Sequence, residues 1–137
     1  MAELAEKRLF LLDMDGTLYL DDDLFPGTIP FLRRIREKGG RYLFLTNNSS
    51  RGADSYVEKL RRLGIESVPE DFLTSVDALI LFLRKGDYQG KPLYVAGTES
   101  FRRQLRSAGF SVTSDREEAE VLICGFDTEL TFQKLED

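Results

Sequence analysis

Asp13-Met14-Asp15-Gly16-Thr17 sets two carboxylates two residues apart at the end of a short apolar run, with a glycine and a hydroxyl behind them. Carboxylates held this close are costly to keep ionised unless a cation neutralises them. Magnesium suits such a pair, because it takes oxygen ligands and is usually held by one or two carboxylates plus water and substrate phosphate. With the cation in place Asp13 has the chemistry of a nucleophile towards phosphorus, giving an aspartyl-phosphate. Asp15 has that of a general acid and base, protonating a leaving oxygen and then deprotonating a water. Gly16 lets the backbone turn tightly beside a phosphate. One βα unit later, Thr46-Asn47-Asn48 offers a hydroxyl and amide donors that could position phosphoryl oxygens without adding charge.

Other chemistries are excluded by what the chain holds. It has no histidine and one cysteine, Cys124, which removes Ser-His-Asp and Cys-His catalysis, imidazole ligands, cysteine zinc cages and intrachain disulfides. A calcium loop counted from Asp13 would need glycine and glutamate where Leu18 and Leu24 stand. Gly86 to Lys91 has too short a spacer for a phosphate-binding Walker loop, Pro92 stands where Ser or Thr is required, and there is no GxGxxG. The net charge of −5 argues against nucleic acid as a partner. Arg33, Arg34 and Arg36, like Arg61 and Arg62, read as solvated helix faces. The charged start and the lack of a long apolar stretch imply no signal peptide, no membrane span and a cytoplasmic location.

The elements that position these residues follow an α/β rhythm. The 137 residues are 42% apolar and 31% charged, enough for a compact core. Leu9 to Leu12 is a continuous apolar run, the mark of a strand buried on both faces. After the acidic, turn-rich stretch from Asp21 to Gly27, Thr28 can cap a helix with Pro30 in its first turn. Ile29, Leu32 and Ile35 share its face and Gly39-Gly40 ends it. Tyr42 to Leu45 is the next buried strand. A helix from about Ala53 to Leu63 turns Ala53, Val57 and Leu60 inward and stops at Gly64. Phe72-Leu73-Thr74 predicts a short strand, and Ser75 can cap a helix built on Val76, Leu79, Ile80 and Leu83. The rhythm restarts after Gly86 to Gly90 with strand Leu93 to Ala96. A helix with Phe101, Leu105 and Ala108 inward then ends at Gly109, strand Val121 to Cys124 follows, and Thr131 is placed to cap a last helix.

The ordered set of these motifs resembles the haloacid dehalogenase superfamily, whose first motif is DxDGT and whose second is a Ser or Thr at a strand end. More narrowly it is similar to subfamily IIA, the p-nitrophenylphosphatase and NagD-like group. The resemblance runs through Leu11 to Leu18, Phe25-Pro26-Gly27, Leu45 to Ser49, Phe72 to Ser75, Leu93 to Gly97 and Val121 to Asp127. It implies a HAD-like, Rossmann-like parallel sheet core with an inserted α/β cap, both incomplete here. Residues 1–88 would be the N-terminal part of the core and 89–137 the first part of the cap.

By the resemblance Asp13 is nucleophile and metal ligand, and Asp15 is acid/base and touches the metal through its carbonyl. Thr46 and Asn47 bind the phosphoryl group with Asn48 beside them, and Asp21 to Leu24 lie in a flap. The implied activity is Mg²⁺-dependent hydrolysis of a small phosphorylated metabolite. The family's lysine and its later Gly-Asp acidic loop would follow the cap, beyond residue 137. Gly90-Lys91-Pro92 and Gly125-Phe126-Asp127-Thr128-Glu129 only look like them. The chain is therefore expected to be a piece of a longer phosphatase. Leu9 to Leu12 would then form an exposed apolar edge open to a homo-oligomer. Transfer of the phosphoryl group to a hydroxyl acceptor, or a non-catalytic piece that binds phosphate or associates through that edge, are the alternatives.

Overall fold

The computed structural model describes residues 6–136. They form two compact units, one taking in the chain up to Thr46 and Ala53–Leu73, the other Asn47–Gly52 and the chain from Thr74.

The first unit is built on strands β1 (Leu9–Asp13) and β4 (Arg41–Thr46), parallel and in register from Leu9 opposite Arg41 to Asp13 opposite Leu45. β5 (Phe72–Thr74) adjoins β4, so the sheet order is β1-β4-β5. Between β1 and β4 come a two-residue antiparallel hairpin, β2 (Tyr19–Leu20) with β3 (Asp23–Leu24), and helix α1 (Thr28–Glu37). The core gathers Met14, Leu18, Tyr19, Leu32, Ile35, Tyr42, Phe44, Leu60, Ile65 and Phe72. Aromatic rings concentrate it: the Phe44 centroid lies 5.1 Å from that of Tyr42 and 5.3 Å from that of Phe72. Such pairs each add about 0.5–1.5 kcal/mol beyond their buried area.

β1 departs from the sequence expectation of a strand covered on both faces. Phe10 and Leu12 pack on the core, whereas Leu9 and Leu11 are 58% and 56% exposed and the strand lies at the sheet edge. The open apolar edge foreseen for Leu9 to Leu12 is present. Thr28 does not cap α1: Gly27 holds the cap position, and the buried Thr28 hydroxyl donates instead to the Leu18 carbonyl at 2.7 Å. Helix α2 (Ala53–Arg62) buries Tyr56 and Leu60, with Ala53 and Val57 only partly covered, and the chain turns at Gly64 (φ +82°).

The second unit carries a three-stranded parallel sheet, β6 (Leu93–Ala96) central between β7 (Val112–Thr113) and β8 (Val121–Cys124). Helices α3 (Ser75–Lys85) and α4 (Glu99–Ser107) supply Val76, Leu83, Phe101 and Leu105 to its core. The cap of α3 is Thr74 rather than Ser75. Thr74 Oγ1 accepts from the Asp77 amide at 3.1 Å, and the Asp77 carboxylate accepts from the Thr74 amide at 2.9 Å, a reciprocal box that only a residue three before the acid can form. The Ser75 hydroxyl donates to the Asn47 carbonyl at 3.1 Å. A last short helix, α5 (Phe132–Glu136), starts behind Thr131 as expected, whose hydroxyl accepts from the Lys134 amide at 3.3 Å. Among the described residues no helix is long and apolar enough to cross a membrane.

Candidate active site

The parallel register puts the ends of β1 and β4 side by side, with Asp13 opposite Leu45 and Thr46 one residue further. Asp13 is exposed at its strand's end, and Thr17 Oγ1 donates to its Oδ2 at 2.9 Å. The loop after it is a tight turn around Met14, which is wholly buried. The Met14 carbonyl accepts from the amides of Thr17 and Leu18 at 3.1 and 2.9 Å, and the Gly16 amide donates to the Tyr19 carbonyl at 2.8 Å. Gly16 sits at φ +78°, where an L side chain would be strained. The turn thus buries Met14 and leaves Asp13 and Asp15 facing solvent.

Asp15 meets a cation of the protein's own. Lys59 of α2 reaches its Oδ1 at 3.4 Å, and the same ammonium lies 4.1 Å from the centroid of the Tyr19 ring. Tyr19 is fully buried. Burial, and after it the charge of Asp15, holds its phenol well above the usual tyrosine range, so the ring stays neutral. The Thr46 hydroxyl, also buried, shares a hydrogen bond of 3.2 Å with the Tyr56 hydroxyl of α2.

Of the residues singled out by sequence, Asp13, Asp15 and Thr46 therefore fall in one compact unit, at neighbouring strand ends. Asn47 and Asn48 follow in the chain but pack with the second unit. Asn47 is exposed there, and the Asn48 carboxamide oxygen accepts from the Ser50 amide at 2.9 Å and the Ser50 hydroxyl at 2.6 Å. Asp21 to Leu24 form the turn and second strand of the β2–β3 hairpin, with Asp21 at φ +52°, a conformation aspartate tolerates. Tyr19, Tyr56 and Lys59 were not foreseen. The signal for the last two was faint but present: Tyr56, Lys59 and Leu60 follow i, i+3, i+4 along the inner side of α2.

Two exposed carboxylates beside a hydroxyl are hard oxygen donors, and they fit a magnesium ion that fills its other positions with water and substrate phosphate. Among the described residues no group of three or more His, Cys, Asp or Glu side chains is placed to hold a metal by itself. The lookalike acidic loop is otherwise engaged: Asp127 Oδ2 accepts from Lys134 at 2.8 Å and its Oδ1 from the Glu129 amide at 2.8 Å. Lys91 stands two residues before β6, its ammonium 5.9 Å from the centroid of Tyr88.

Residues 10–111 match the family model described as haloacid dehalogenase-like hydrolase. An acid sugar phosphatase of Staphylococcus aureus is 30% identical over 132 residues, which are 96% of this chain and 50% of that protein. The crystal structure of 4-nitrophenylphosphatase from Thermotoga maritima superposes with a TM-score of 0.86 at 37% identity, covering 96% of this chain and 49% of that one. Glycerol phosphate phosphatase from Mycobacterium tuberculosis, in complex with magnesium, does so with a TM-score of 0.86 at 26% identity, covering 96% and 39%. The chain spans about half the length of the curated relatives it matches.

Proposed function

Because the chain belongs to the haloacid dehalogenase-like hydrolase family, we propose that it carries the nucleophile-bearing part of a phosphatase for small phosphomonoesters. The observation that supports this most directly is the register of β1 on β4, which sets the Asp13 carboxylate and Thr46 at adjoining strand ends. Relatives named as sugar, glycerol and 4-nitrophenyl phosphatases agree in reaction class and differ in the alcohol released.

In this reading an Asp13 oxygen attacks phosphorus while the bond to the ester oxygen breaks. Asp15 gives its proton to the departing alkoxide. Asp15 then takes a proton from water, whose oxygen attacks the aspartyl-phosphate, and the bond from phosphorus to Asp13 breaks to release orthophosphate. A magnesium ion, held by Asp13 and Asp15, would supply the positive charge that lets an anionic nucleophile approach an anionic phosphate. The hydrogen bond from Thr17 orients the Asp13 carboxylate. Thr46 is assigned to the phosphoryl oxygens, as are Asn47 and its neighbour Asn48 by the family resemblance. Residues 1–88 are taken as core and 89–137 as cap. Cys124, free and exposed, is compatible with the cytoplasm.

The test is phosphate release from p-nitrophenyl phosphate. Turnover should require Mg²⁺ and fall to background in Asp13→Asn; full activity in that variant would overturn the reading.

A further inference from the structure

Side chains alternate along β4, so Tyr42, Phe44 and Thr46 are buried on one face, and the Thr46 hydroxyl ends an aromatic row. Helix α2 brings Tyr56, 4% exposed, and the wholly buried Leu60 to the same core. The Tyr56 ring stacks on Phe72 with centroids 6.0 Å apart, and Phe72 lies 5.3 Å from Phe44. Held in this way, the Tyr56 hydroxyl comes to 3.2 Å from Thr46 Oγ1. Valine and phenylalanine would fill the same space with no hydroxyl to satisfy. The polar pair is accounted for if one of its members acts at the strand end.

Each hydroxyl has one hydrogen and two lone pairs, so either of the two can be the donor. A phosphoryl oxygen offers lone pairs alone, and Thr46 can serve it only with its own hydrogen. We propose that Tyr56 is a positioning residue for Thr46: its phenol donates to Thr46 Oγ1 and so turns the threonine hydrogen towards a phosphoryl oxygen at the end of β4. The inference rests on the reading of Thr46 as a phosphoryl ligand. A hydroxyl that accepts one hydrogen bond is polarised and donates the next more strongly. No bond is made or broken at either oxygen, so the effect falls on affinity for the phosphoryl group.

Calorimetric titration of the full chain with inorganic phosphate in MgCl₂ tests this. Tyr56→Phe keeps the ring and removes the hydroxyl, and it should bind phosphate about three- to tenfold more weakly than wild type, the scale of one hydrogen bond. Thr46→Ala should lose at least as much. Adding Tyr56→Phe to Thr46→Ala should change nothing further, because the phenol acts through the threonine. With p-nitrophenyl phosphate the same factor should appear in KM, with kcat within about twofold. Thermal melts establish folding, and Tyr56→Met serves should the phenylalanine variant unfold. Unchanged binding by folded Tyr56→Phe beside weak binding by Thr46→Ala leaves Thr46 its role and overturns that of Tyr56. A Tyr56→Phe loss that persists in the Thr46→Ala background overturns it equally. Full affinity in Thr46→Ala, or no binding by wild type, overturns the reading of Thr46 and the inference together.

Discussion

Asp13 and Asp127 are carboxylates in opposite circumstances. Asp13 accepts a hydroxyl hydrogen bond from Thr17 and faces solvent. Asp127 is almost covered, and Lys134, which holds it, also donates to the carbonyls of Gly97 and Glu129 at 3.2 and 3.1 Å. Burial works against the ionised form of Asp127. The Lys134 hydrogen bond, the Glu129 amide and the nearby positive charges outweigh it, so its carboxyl is held below the ordinary 3.8. A carboxylate with a lowered folded pKa contributes stability that is present above the unfolded pKa and is lost as pH falls through the folded one. Asp127→Asn should therefore be less stable than wild type at neutral pH, and the gap should close as the pH is taken below 3.8. Urea unfolding followed at about pH 7 and about pH 3 measures it. A gap that stays constant would mean that the ion pair contributes nothing to the fold.

At the scale of elements, caps show where local pattern stops being informative. Thr74 and Ser75 are adjacent hydroxyl residues, either able to start α3, and Asp77 decides between them by its distance of three from Thr74. Thr74→Ala should cost about 1 kcal/mol in denaturant unfolding, the usual worth of an N-cap, whereas Ser75→Ala should stay within about 0.5 kcal/mol. Equal losses would mean that the box is not the cap. The long elements were readable because apolar periodicity records burial: β6, β8, α3 and α4 lie where Leu93 to Ala96, Val121 to Cys124 and the i, i+3, i+4 stripes put them. The two-residue strands β2, β3 and β7 are too short to leave any period. At the site, Asp13, Asp15 and Thr46 were legible because their chemistry is local to a strand end. Lys59 and Tyr19 were not, since tertiary packing alone brings an ammonium of α2 to a loop 44 residues earlier. Tyr56 was missed for a related reason: Ala53, Val57 and Leu60 made an equally good apolar stripe, and only packing against Phe72, with ring centroids 6.0 Å apart, turns the helix towards tyrosine.

Over the whole chain, each unit has its own small parallel sheet, and that of the first ends in β1. Parallel strands are ordinarily covered on both faces, because their crossover connections place helices there. β1 keeps the composition of such a strand while Leu9 and Leu11 stand more than half exposed, and no proline or lysine interrupts Leu9 to Leu12. Soluble proteins blunt such edges with charge, since an unpaired row of amides and carbonyls beside apolar side chains recruits further strands. Here the charges sit only at the ends, Lys7 and Arg8 before the run and Asp13 after it. The 137-residue chain should therefore self-associate through β1, with a sedimentation coefficient that rises with concentration. Leu11→Lys places a charge in the middle of the edge at a position already open to solvent, so it should suppress that rise while changing stability by no more than about 0.5 kcal/mol. Association that persists unchanged in Leu11→Lys would move the contact away from β1, and a monomer at every concentration would show that the edge is not adhesive. Leu11 lies in the middle of the strand, whereas Asp13 lies at its end, opposite Leu45, so Leu11→Lys leaves the nucleophile position itself unchanged.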